Sequence, residues 1–278
     1  MQYSLSSRFR GALLGQATGA TECDVEQLLF PVIRSLVRLG KFDASDWCNA
    51  FDQHTRHTPE QAVIASLPLA LFYHDNELNL RKNLQLALES SQRNAPAIRD
   101  GVLAVGYAIA QCLTEKLNAT TLIPKTVAFL GQSHTQIPQQ LLRVQAMLEQ
   151  QAGLERVQVE LNQFEQSSAS IPIAFYCFLS TLEDLHLSVR RAAQNSYQPQ
   201  KTSAITGALS GAYNSASGIP ASLRVMLSRH HLKSVTEMIE LSNLLLVVWS
   251  GLYDQAPYPN ELTPVAAIAA PQVIRPGS

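Results

Sequence analysis

Apolar residues recur at intervals of three and four along almost the whole chain, the spacing that gathers them on one face of an α-helix. Between Leu28 and Val37 they occupy positions i, i+1, i+4, i+5, i+8 and i+9, and Gly40 follows as a helix stop. The segment Thr58-Pro59-Glu60-Gln61 combines a capping hydroxyl, a proline in the first turn and a glutamine three residues after the cap. It predicts the start of a helix that runs towards Tyr73. The periodicity as a whole predicts an all-α fold.

Further helices are predicted from the same spacing over most of the remaining sequence. They are Leu80–Ser90, Ala97–Leu117, Ile123–Leu130, Pro138–Gln151, Ile173–Leu182, Leu185–Asn195, Lys201–Ser215, Pro220–Arg229 and Val235–Tyr253. Only Val157–Leu161 alternates as a β-strand does, and that run also fits the flank of a helix. His230 and His231 fall at a predicted helix C-terminus, where they would cap carbonyl groups.

The helices are expected to form one domain. No segment returns at a fixed period, which disfavours a helical repeat protein. We therefore expect a single compact multi-helix domain over residues 1–256. Residues 257–278 are expected to form an extended tail, because prolines interrupt them repeatedly: Pro257, Pro259, Pro264, Pro271 and Pro276.

Composition excludes several classes of protein. The chain has 278 residues, of which 46% are hydrophobic, and its 21 basic and 22 acidic side chains nearly cancel. Such a balance creates no field that would attract nucleic acid or an anionic membrane. The longest apolar stretches are shorter than the roughly 20 residues that cross a bilayer, and the four cysteines lie far apart without a CxxC pair. We expect a cytoplasmic protein with reduced cysteines.

Two glycine stripes are the most regular small-residue pattern. Gly11, Gly15 and Gly19 repeat every four residues near the N-terminus, and Gly207 and Gly211 do so late in the chain. This spacing predicts that two helix backbones approach closely. The histidines His54, His57 and His74 lack the accompanying cysteines or carboxylates of a metal site, and Ser210 lacks the GxSxG context of a hydrolase nucleophile. These patterns taken alone reveal no catalytic constellation.

Three passages of the chain resemble, in order, conserved segments of the ADP-ribosylglycohydrolases. Arg8–Gly19 is similar to the family opening RFxGALLGxAxGDAxG, and Ala62–Phe72 is similar to GAAMRxxPLGL. Thr202–Tyr213, followed by Gly218–Pro220, resembles the late segment GGDxDTxAAIxGALxGAxxGxxxIP. The resemblance implies an all-helical domain of the kind that removes ADP-ribose from modified proteins with the help of Mg²⁺.

The chain departs from the family where the metal ligands are expected. The family supplies hydroxyl and carboxylate oxygens from an early [ST]DDT and from the late GGDxDT, and such hard ligands suit Mg²⁺. Here Gln198 and Gln200 take the two late Asp positions, Lys201 takes the first Thr, and Ala20 replaces the Asp of GDA. No Asp or Glu occurs between Asp184 and Glu237. A shift in the alignment therefore cannot restore the late ligands.

The resemblance and these departures together predict a protein that has lost Mg²⁺-dependent hydrolysis and acts by binding. Its partner would be an ADP-ribose-like or nucleotide ligand, or another protein, and no nucleic acid or membrane is implied. The residues expected around the former site are Ala20, Gln198, Gln200 and Thr202. No catalytic residue, metal ligand or cofactor is expected. The alternative is an active hydrolase that removes ADP-ribose, or a related glycosidic group, through an atypical site containing Glu22, Asp24 and Glu26.

Overall fold

The computed structural model describes residues 3–19, 28–52, 59–90, 95–161, 163–164, 169–195 and 198–251. Within these ranges the chain is helical and contains no β-strand, which confirms the predicted all-α fold. The α-helices, numbered in chain order, are α1 (Leu5–Ala17), α2 (Phe30–Leu39), α3 (Ala44–Asp52), α4 (Pro59–Phe72), α5 (Glu77–Ser90), α6 (Pro96–Leu113), α7 (Leu122–Leu130), α8 (Ile137–Glu149), α9 (Leu154–Leu161), α10 (Ser170–Ser180), α11 (Leu185–Ala193), α12 (Pro199–Asn214) and α13 (Ala221–Trp249).

Local sequence explains several helix ends. Helix α2 carries Pro31 in its first turn and ends at Gly40, whose φ of 67° is the left-handed conformation that glycine adopts without steric cost. Helix α3 is preceded by Asp43, whose Oδ1 accepts a hydrogen bond from the backbone N–H of Asp46 at 2.9 Å. The end of α2 at Gly40 agrees with the helix stop predicted for that residue. The cap predicted at Thr58 lies outside the described residues.

Helix α13 corrects the prediction of two helices in the region 220–253. The structure has one helix from Ala221 to Trp249, so His230 and His231 lie inside it rather than at a C-terminus. The sequence from 229 to 235 contains neither glycine nor proline, and nothing there stops the helix. The strand-like run Val157–Leu161 is likewise helical, because Val157 and Leu161 are four residues apart and both are buried on one face.

One pair of helices organises the core. Helix α1 packs along α12 more extensively than any other two helices pack together. Around this pair, α4 packs on α6, α11 packs on α12, and α13 covers α1. Buried aromatic side chains of Phe9, Phe175 and Phe178 fill the space between the helices.

In the described part of the chain, no helix is both long enough and apolar enough to span a membrane. The predicted tail, residues 257–278, lies outside the description.

Candidate functional site

The glycine stripes meet each other. A methyl group on Gly15 would overlap the backbone carbonyl of Gly207, and one on Gly11 would overlap the carbonyl of Gly211. Helices α1 and α12 therefore touch backbone to backbone, as the stripes predict. The close approach fixes how α1 and α12 are placed along each other.

The C-terminal end of α1 lies against the first turn of α12. A Cβ on Gly19 would stand 2.5 Å from the carbonyl oxygen of Gln200 and 2.6 Å from the Cβ of Ser203. This contact brings together the early and late passages that carry the family resemblance. Ala20, the next residue along, lies outside the described residues, so its place in the site stays a prediction.

Gln198 occupies the N-cap position of α12 in an unusual conformation. Its φ of 48° and ψ of 55° are left-handed, which is uncommon for a residue with a side chain. Pro199 follows in the first turn, and a residue before proline is hindered from entering the right-handed helical region. The side-chain oxygen Oε1 of Gln198 is buried and has no hydrogen-bond partner among the described residues.

The Thr202 side chain forms hydrogen bonds with two residues that precede α12. Its Oγ1 donates to the backbone oxygen of Gln198 at 3.1 Å and accepts a hydrogen bond from Nδ2 of Asn195 at 3.0 Å. Thr202 is fully buried, so these bonds form away from water. The structure thus brings Gln198 and Thr202 together, whereas Gln200 between them is exposed.

Three further polar residues were not predicted from the sequence, and two of them, Asn195 and Ser203, lie at the start of α12. Asn195 anchors Thr202, while Ser203 and Gln16 are buried with polar atoms that have no hydrogen-bond partner among the described residues. Gln16 is only 1% exposed, and both its Nε2 and its Oε1 are unpartnered in this sense. Its position could have been found, because Phe9, Leu13 and Gln16 follow one apolar face of α1 at helical spacing.

The start of α12, which carries the late part of the resemblance, does not fit the Mg²⁺ ion that the resemblance implies. The start of α12 offers an amide oxygen of Gln198 and a Thr202 hydroxyl that is already bonded, but no carboxylate. Lys201 adds a positive charge there, and a helix N-terminus is itself partially positive. Across the described residues, no group of three or more His, Cys, Asp and Glu side chains is placed to hold a metal. Glu22, Asp24 and Glu26 lie outside those residues.

His74 and Ser210, which the sequence analysis also considered, are buried residues with hydrogen-bond partners. His74 is buried, its Nδ1 lies 2.7 Å from the carbonyl oxygen of Leu71, and its ring lies against Phe9. Ser210 is fully buried inside α12 and accepts a hydrogen bond from Nδ2 of Asn214. His54 and His57 lie outside the described residues.

Two of the four cysteines are core residues, as predicted: Cys112 and Cys177 are buried free thiols. Cys48 is free but only half-buried, and Cys23 lies outside the described residues. Burial raises the pKa of the Cys177 thiol to about 12, although the nearby Arg191 charge opposes the effect. Burial raises the pKa of Cys112 well above its ordinary value in the same way. Neither thiol is a nucleophile near neutral pH, since the thiolate is the reactive form.

Comparison with known structures identifies the fold. Thirty chains of solved structures match, and one of them is described as an "ADP-ribosylglycohydrolase-related protein complex". It shares 16% sequence identity with this protein at a TM-score of 0.61, and the match covers 88% of this chain and 99% of the other. At that identity the similarity shows the all-helical fold alone.

The family follows from the sequence match. The family model described as ADP-ribosylglycohydrolase matches residues 26–252. This range covers most of the 278 residues, and the chain belongs to the ADP-ribosylglycohydrolase family. A search of curated proteins gives no match.

Proposed function

We propose that this protein is a binding member of the ADP-ribosylglycohydrolase family that has lost Mg²⁺-dependent hydrolysis. The observation that carries the proposal is the start of α12, where the amide Gln198 stands in place of a carboxylate and no Asp or Glu occurs from 185 to 236. An amide keeps an oxygen but has no negative charge, so it holds a divalent cation far more weakly. Loss of the charged ligands supports loss of the metal chemistry.

The ligand we infer is ADP-ribose-like, and it would lie where α1 ends and α12 begins. Buried polar atoms without partners are rare in folded proteins, and bound water or a ligand often satisfies them. Gln198 and Ser203 each contribute such an atom among the described residues. The contact of Gly19 with the first turn of α12 supports placing them at one end of the α1–α12 pair. A ligand rich in hydroxyl and phosphate oxygens offers both donors and acceptors to these groups.

Calorimetric titration of the full chain with ADP-ribose, with and without Mg²⁺, tests the proposal. We expect saturable binding whose affinity is independent of Mg²⁺, and no release of ADP-ribose from a modified protein. Gln198→Ala should weaken binding by about fivefold, the effect of one hydrogen bond. Gln194→Ala is the matched control, because Gln194 is an exposed glutamine four residues away.

Two results would contradict different parts of this proposal. Absence of saturable binding would exclude ADP-ribose as the ligand and leave a protein partner as the remaining mode of action. Metal-dependent turnover would overturn the loss of activity and direct attention to Glu22, Asp24 and Glu26 as the atypical site.

A further inference from the structure

A cavity lies away from the start of α12. It has a volume of about 420 Å³ and lies between α8, α10 and α11, beside the turn that follows α8. Leu148, Ala152 and Leu179 supply apolar wall, and no residue of the segment 195–203 lines it. A pocket of this size with mainly apolar walls is typical of small-molecule sites, provided that a few polar groups are fixed within it.

Arg191 is the cationic residue in this cavity, and the fold holds it in place. Its Nη2 donates a hydrogen bond to the hydroxyl oxygen of Tyr176 at 2.8 Å, and its Cζ lies 5.1 Å from the centre of the Tyr176 ring. Tyr176 is itself only 2% exposed, and its hydroxyl donates to the backbone oxygen of Ala152 at 2.5 Å. The two bonds form a chain from the backbone to the guanidinium. A group fixed in this way loses little conformational entropy when it binds a ligand.

Arg191 has no acidic partner in the described part of the chain. None of the ion pairs formed there includes it. Glu149 also lines the cavity, but its Oε1 accepts a hydrogen bond from Nε2 of Gln145 at 2.8 Å, and the residue is exposed at the rim. A half-buried guanidinium keeps several N–H donors after bonding Tyr176, and a carboxylate or phosphate satisfies such donors in pairs.

We propose that this cavity binds a small amphipathic molecule whose apolar body contacts Leu148 and Leu179 and whose terminal carboxylate or phosphate pairs with Arg191. The site is independent of the start of α12 and does not rest on the function proposed for that region. A carboxylate and a phosphate each present a pair of oxygen atoms that a guanidinium can bind. The titration below distinguishes the carboxylate from the phosphate.

The test is an NMR titration of the full chain with hexanoate, pentyl phosphate and hexanamide, which share one pentyl chain. We expect at least one of the two anions to bind about tenfold more tightly than the uncharged amide, because a charge-assisted pair is stronger than a neutral one. The tighter of the two anions identifies the class of natural ligand. Equal affinities for all three compounds, or no saturable binding of any, would overturn the proposal.

Three variants test whether the anion binds at Arg191. Arg191→Gln should lower the affinity for the preferred anion to that for hexanamide, whereas Arg190→Gln removes the same charge from an exposed neighbour and should change it less than twofold. Tyr176→Phe keeps the ring and removes the hydroxyl that fixes Arg191, so a smaller loss is expected. Equal losses in Arg190→Gln and Arg191→Gln would show only a general effect of charge and contradict the site. The comparison of anion with amide on the unaltered protein decides the matter even if a variant fails to fold.

Discussion

A methyl group on Gly15 would overlap the backbone carbonyl of Gly207, so α1 and α12 meet at this point with no side chain between them. Glycine within a helix costs about 1 kcal/mol relative to alanine. Close packing of the two backbones offsets that cost, and it sets the geometry of the candidate site at one end of the pair.

We expect Gly207→Leu to lower the free energy of unfolding by about 1–3 kcal/mol or more, because the added side chain has no space against α1. Chemical denaturation measures the change. Gly153→Ala is the control, since a Cβ at Gly153 would meet no atom within 4 Å, and its effect should stay within about 0.5 kcal/mol. Similar small effects in both variants would contradict the close packing of α1 and α12.

The bond between Asn195 and Thr202 should contribute to stability as well as to the site. Thr202→Val keeps the side-chain shape and removes the oxygen that accepts from Asn195, so a loss of about 1–2 kcal/mol in the free energy of unfolding is expected. Thr206→Val is the matched control, because the Thr206 hydroxyl is equally buried but, among the described residues, bonds only the carbonyl of Thr202 within the same helix. Urea denaturation of the two variants compares them. An equal loss in both would contradict a special role for Thr202.

Alkaline pH should destabilise the protein partly through Cys177. Burial raises the pKa of this thiol to about 12 in the folded protein, while the unfolded chain has the ordinary, lower value. The folded state therefore keeps a proton that the unfolded state loses, and the free energy of unfolding falls once the pH exceeds the unfolded pKa. Between about pH 8 and about pH 10, the Cys177→Ala variant should lose about 1–2 kcal/mol less stability than the unaltered protein. Parallel pH profiles of the two proteins would contradict the shift.

Restoring the late carboxylates alone should not restore hydrolysis. The double variant with Gln198→Asp and Gln200→Asp rebuilds half of a two-part site, while Lys201 opposes an incoming cation. The early half is still missing, because the contracted segment Thr21–Glu26 stands where the family has [ST]DDT. We expect weak Mg²⁺ binding at most and no release of ADP-ribose from a modified protein, as measured in a discontinuous assay. Robust turnover that requires the metal would show that the family's early motif is dispensable here.

Addition of Mg²⁺ to the unaltered protein provides a simpler measurement. A ligand that does not bind the native state cannot stabilise it, so the melting temperature should stay constant up to millimolar Mg²⁺. Thermal unfolding monitored by circular dichroism measures this, with Ca²⁺ at the same concentration as a control for general ionic effects. A rise specific to Mg²⁺ would indicate replacement ligands elsewhere in the chain.

Much of the fold follows from local sequence. Apolar spacing determined the positions of most helices within a few residues, and Gly40 with its left-handed φ ends α2 as its type suggests. The strand-like alternation of Val157–Leu161 was ambiguous because a short run fits either period, and packing of Val157 and Leu161 on one face made it helical. The prediction of a helix end near His230 was wrong. Charged and polar residues there resemble a helix end, but none of them breaks a helix.

The sequence by itself determined the all-helical class, the two glycine stripes and the missing late carboxylates, since each depends on residue type and spacing along the chain. Only the tertiary structure decided which helices the stripes join, that Gln198 and Thr202 lie together while Gln200 is exposed, and that Tyr176 fixes Arg191 within a cavity. Asn195 and Thr202 are seven residues apart, and the pairing of their side chains depends on the turn that leads into α12. Such contacts depend on how helices pack against one another, and the period of a single helix carries no information about its partner.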